Sequence, residues 1–106
     1  MPKYLWQASY TTEGAKGIRK AGGTARRAAV KDLIEKAGGK LEAFYFAFGK
    51  ADAIVIAELP DQATAVGVSL AVNATGAVGL KTTVLVTPEE LDTAAKKSVD
   101  YRPPGS

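Results

Sequence analysis

The sequence predicts an α+β fold: four strands in one antiparallel sheet, helices gathered on one side of it, and a further helix near the C-terminal end. Two neighbouring segments, "LEAFYFAF" and "AIVIAEL", are rich in aromatic and β-branched residues, the composition of paired strands. Between the first and second strands, Val30, Leu33, Ile34 and Ala37 recur at i, i+3, i+4 and i+7, one buried stripe of a helix. Strand and helix signals then follow one another as β-α-β-β-α-β.

Each element has a local cause. From Lys3 to Ser9 the chain alternates, with Tyr4, Trp6 and Ala8 on one side and Leu5 and Gln7 on the other. Thr11 caps a helix whose first turn carries Glu13, where the helix dipole favours an anion. That helix is expected to run through Ile18 and stall at Ala21-Gly22-Gly23, since paired glycines are costly inside a helix. Thr24 restarts it, and Gly38 suits the left-handed position past its end. Lys40 to Phe48 and Ala51 to Leu59 are the next two strands. Pro60-Asp61 ends the second of them and opens a helix from Gln62 to Ala74, almost all small and apolar and so expected to be largely covered. Gly76 ends it, and Ala77 to Val86 is the fourth strand. Thr87-Pro88-Glu89-Glu90 places a cap, a first-turn proline and a glutamate three residues after the cap, which starts a last helix to about Ser98. Residues 1–98 are thus expected to form one domain and 99–106 a flexible tail. The element order is that of the split βαβ or ferredoxin-like arrangement.

Both sides of the second and third strands carry apolar residues. Leu41, Ala43, Tyr45 and Ala47 oppose Phe44, Phe46 and Phe48, and Ile54 and Ile56 oppose Ala53, Val55 and Ala57. A sheet with one face in water shows a polar side. The expectation is therefore that both faces are buried, the second by another copy of the chain, as a homodimer or higher homo-oligomer.

Composition narrows the chemistry. The 106 residues contain no Cys and no His, which removes disulfides, thiolate nucleophiles, histidine bases and the commonest metal ligands. No cofactor and no metal site are expected; any catalysis would rest on Asp, Glu, Lys, Tyr or Arg. The net charge of +3 gathers at Lys16, Arg19, Lys20, Arg26, Arg27 and Lys31. Base-reading motifs are missing and the aromatics are not interleaved with these residues, so a solvated helix face is expected, not a nucleic-acid surface. No apolar run reaches the roughly 20 residues of a membrane span, and "MPKYLWQASY" lacks the pattern of a secretory leader, so a cytoplasmic location is expected.

The segments "TTEGAKGI", "AGGKLEAFYFAFGKADAIVIAELPD" and "VTPEEL" resemble the GYD-domain family, within the dimeric α+β barrel superfamily, over nearly everything from Tyr4 to Leu91. Gly49 and Asp52 match the Gly-Tyr-Asp pattern that names the family, while Ala51 stands where its tyrosine is usual. The resemblance implies two ferredoxin-like sheets packed face to face. It implies little chemistry: the wider superfamily includes cofactor-free monooxygenases, isomerases and stress-response proteins, and the hairpin is similar to that of Lrp/AsnC-type sensing domains, where small effectors bind near the turn.

The candidate site residues are Trp6, Tyr45, Asp52 and Glu58, polar tips or aromatics on apolar strands that suit a small, partly apolar ligand. Gly49 is expected to supply a positive φ to a tight hairpin. A two-residue loop at Gly49-Lys50 puts Asp52 opposite Ala47 and in line with Tyr45 and Glu58; a three-residue loop puts it beside Phe48. Glu58 is costly to bury unless it pairs with Lys40 or Lys81, or its pKa rises and it acts as a base. Two functions follow: a binding or sensing module, or a small cofactor-independent enzyme using Asp52 or Glu58 as base.

Overall fold

The computed structural model describes residues 1–105. In chain order the elements are β1 (Lys3–Tyr10), α1 (Thr12–Ala21), α2 (Gly23–Lys36), β2 (Lys40–Phe46), β3 (Ala53–Glu58), α3 (Gln62–Ala74), β4 (Val78–Leu85) and α4 (Pro88–Ala95). The strands form one sheet in the order β2-β3-β1-β4, antiparallel at every pairing. This is the ferredoxin-like arrangement that the element order predicts. Among the described residues no helix is long and apolar enough to cross a membrane.

The helix starts follow from their caps. The side chains of Thr11, Asp61 and Thr87 accept hydrogen bonds from the amides of Gly14, Thr64 and Glu90, and the Glu90 side chain accepts one from the Thr87 amide, completing a capping box. The first helix continues three residues past Ile18 before Gly22, at a φ of 91°, turns the chain directly into α2. The last helix stops at Ala95, short of Ser98.

Alternation along the strands defines two faces. Tyr4, Trp6, Ala8, Ala53, Val55 and Ala57 are buried under the helices. Ile34 of α2 and Ala65 and Val68 of α3 complete this core with Leu59. On the far side stand Leu5, Gln7, Ile54 and Ile56, half-buried along the two central strands.

The structure differs from the sequence reading in three places. A bulge between Leu41 and Ala43 leaves Glu42 as the extra residue, so Leu41 pairs with Ala57 and shares the covered face with Phe44 and Phe46. Ala43 and Tyr45 remain on the far face, opposite Ile56 and Ile54. The hairpin is wider than a two- or three-residue loop: Phe46 faces Ala53, and the Ala47 amide bonds the Asp52 carbonyl at 2.8 Å. Asp52 thus lies opposite Ala47, but Gly49 is not at positive φ, because the broader loop spreads the reversal over more residues. Helix α3 buries only Ala65 and Val68, leaving Val66 and Leu70 exposed, since it meets the sheet along one narrow stripe.

Candidate functional site

Helix α2 lies over β2 and α3 over β4, and with α1 they enclose a groove above the end of the sheet. The groove measures about 660 Å3. Its floor is Tyr10 and Val78, and its walls come from α1 at Gly17 and Ile18, α2 at Arg26 and Leu33, and α3 at Val72 and Thr75. Most of this wall is hydrocarbon or backbone. The wall is open at Gly17, where a Cβ would meet nothing within 4 Å.

Close approach of α1 to the start of β4 shapes one end. The Thr11 amide bonds the Ala77 carbonyl at 3.1 Å and the Thr11 hydroxyl donates to the same oxygen at 3.2 Å. Gly14 sits so near that a Cβ would collide with this carbonyl, so glycine is what lets the helix settle there.

Beneath the groove a second cavity of about 40 Å3 is bordered by Trp6, Arg26, Phe44 and Leu80, and it shares Tyr10, Leu33, Val72 and Val78 with the groove above. Trp6 is 3% exposed and its indole Nε1 has no hydrogen-bond partner; the Nε of Arg26 is likewise buried and unpartnered. A buried polar group without a partner is uncommon in a folded protein, and here two donors share one cavity.

The four residues singled out from the sequence do not form one constellation. Trp6 lies on the covered face at the inner cavity. Tyr45, opposite Ile54, stands on the far face and is 70% exposed. Glu58 is at the other end of that face, and its partner is Lys3, at 3.6 Å, instead of Lys40 or Lys81. The reason is registration: Lys3 is directly opposite Glu58 on β1 and also pairs with Glu42, which the bulge brings across. The hydrogen bond that Lys3 donates to Glu42, and the charges of Glu42 and Glu58, hold the Lys3 ammonium above the usual lysine pKa. Asp52 turns back along the sheet, and its Oδ2 accepts from the Tyr10 amide at 2.8 Å. It therefore ties β3 to the end of β1, not the amides of its own turn.

Arg26 is the residue that sequence reasoning placed wrongly, among the solvated basic residues. Its spacing held the signal, since Arg26, Val30 and Leu33 fall at i, i+4 and i+7 on the stripe that packs inward. Among the described residues it makes no ion pair.

The sheet order, the helices on one face and the groove between them define a ferredoxin-like α+β protein. A family model for the GYD domain matches residues 4–95, and the chain belongs to that family. No curated protein and no solved structure matches it at a significant level.

Proposed function

We propose that the protein is a homodimeric small-molecule binding or sensing module that holds a partly apolar ligand in the groove between α1, α2 and α3. The observation that carries this reading is the groove itself, about 660 Å3 with apolar walls and few polar groups, within the size range of ligand pockets. Of the residues read from the sequence, Trp6 is the one this site brings to the ligand. Tyr45 stands on the opposite face of the sheet from this groove, and neither it nor Asp52 lines it.

The second copy covers the far face. Leu5, Ile54, Ile56, Ala43 and Tyr45 form its apolar centre, with Lys3, Lys40, Glu42 and Glu58 at one end and Lys81 at the other. Helix α4 supports the same reading, since it buries none of its residues within the chain. The radius of gyration is 16.8 Å, where a chain of this length folded on itself has about 13 Å.

Base catalysis, the alternative function, has weaker support. Glu58 is paired with Lys3, and Asp52 is exposed and bonded to a backbone amide, so neither stands as a desolvated carboxylate in a closed pocket.

Two measurements test the reading. Light scattering is expected to return at least twice the 11.0 kDa of the chain. N-phenyl-naphthylamine, a neutral apolar fluorophore, is expected to bind saturably and to quench Trp6, the only tryptophan. Filling the groove with Gly17→Phe should abolish this binding while the far-ultraviolet spectrum is unchanged. Equal binding by a folded Gly17→Phe variant would remove the groove as the site.

A further inference from the structure

The inner cavity points to the chemistry of the ligand's head. We infer that the groove takes a monocarboxylate with an apolar body, its carboxylate oxygen received at the inner cavity by the Trp6 Nε1–H and the Arg26 Nε–H. This inference rests on the groove being the binding site.

The two nitrogens are donors with no acceptor capacity, and both are buried and unpartnered. Their residues border the same cavity of about 40 Å3, room for about one water or one oxygen of a small group. A water there would accept from both donors but would have to place its own protons in a lining that, apart from Tyr10 and the two donor residues, is hydrocarbon. A carboxylate oxygen accepts without donating, and the guanidinium charge strengthens the bond. Two of the other polar side chains on the groove wall are already engaged, while Tyr10 borders both spaces. Glu13 on its wall is paired with Lys16 at 3.8 Å, and the Thr75 hydroxyl donates to the Val72 carbonyl at 2.8 Å. Arg26 is thus half-buried, with its Nε turned inside and no carboxylate paired to it among the described residues, and the groove above it has space for a flat or aliphatic body.

The probes that test this are 2-naphthoate and 2-naphthol, which share a ring system and differ in charge. Calorimetry on the full chain is expected to show naphthoate binding at least about tenfold more tightly than naphthol, the worth of one charge-assisted hydrogen bond. Arg26→Met, which keeps the length of the apolar stem, should bring the two affinities together by weakening naphthoate alone. Trp6→Phe should narrow the preference without removing it. Arg26→Lys, a milder change, keeps the charge without the Nε donor and should retain part of the preference if Arg26→Met does not fold. Naphthol binding with no preference for naphthoate in the unaltered protein would overturn the anion reading and leave the groove as the site. A preference that survives both folded Arg26 variants unchanged would overturn it equally. Binding of neither probe would overturn both readings at once.

Discussion

The two faces of the sheet are built from the same strands by strict alternation, yet they differ in what closes them. Under the helices stand Tyr4, Trp6, Ala8, Ala53, Val55 and Ala57, with no charged side chain among them. Their immediate neighbours are apolar at Leu5, Ile54 and Ile56, polar at Gln7, and become ionic at the end, where Lys3, Glu42 and Glu58 meet. The covered face is closed by the chain's own helices, so its stability is a property of one molecule. The far face has an apolar centre and a charged end, the composition of an interface that must be both attractive and selective. On the proposed dimer, its stability would depend on concentration.

The sharpest way to break this comparison is to truncate one isoleucine on each side. Ile34 is fully buried between α2 and the sheet, and Ile34→Ala is expected to cost about 2–5 kcal/mol in denaturant unfolding, whatever the protein concentration. Ile54→Lys on the far face should leave the chain folded but reduce its mass by light scattering to 11.0 kDa. Its melting temperature should lack the dependence on concentration that is expected of the unaltered protein if it is a dimer. A dimer that survives Ile54→Lys would place the interface elsewhere.

The helices repeat the contrast on a smaller scale. Gly14→Ala drives a methyl into the Ala77 carbonyl that Thr11 holds, and should destabilise by about 1–3 kcal/mol. Gly67 on the outer side of α3 has open space around it, so Gly67→Ala should stabilise by about 1 kcal/mol through helix propensity. Chemical denaturation of both variants reads the difference in sign.

The smallest effect is at the start of α3. The Thr64 amide and hydroxyl both bond Asp61, which holds its carboxyl below the ordinary value of 3.8. A carboxylate whose pKa is lower folded than unfolded contributes stability above the unfolded value and loses it as the pH falls through the folded one. Asp61→Ala should therefore lower the melting temperature near neutral pH, and the difference should shrink as the pH is taken below about 3.8.

Much of this architecture was legible in the chain. The caps at Thr11, Asp61 and Thr87 act on amides two or three residues away, so their chemistry is contained in a short window of sequence. The split of Tyr4, Trp6 and Ala8 from Leu5 and Gln7 needs only the two-residue period of a strand. The site was less legible. Trp6 is legible as a candidate, whereas Arg26 stands among solvated cations in the sequence although it continues the stripe of Val30 and Leu33. Tyr45, Asp52 and Glu58 looked like one polar line because strand alternation was carried through an unbroken hairpin. In the folded chain Asp52 is drawn to the Tyr10 amide and Glu58 to Lys3, partners 42 and 55 residues away in sequence.

Sequence alone determined the order of elements, the helix starts and the alternation that splits β1 and β3 into two faces, because each depends on interactions within a few residues. Tertiary structure decided the bulge at Glu42, the ion cluster around Lys3 and the breadth of the hairpin that frees Gly49 from positive φ. It also brought the Trp6 and Arg26 donors to one cavity. These features come from strands and helices far apart in the chain meeting in one register, and no local period encodes which of them will face each other.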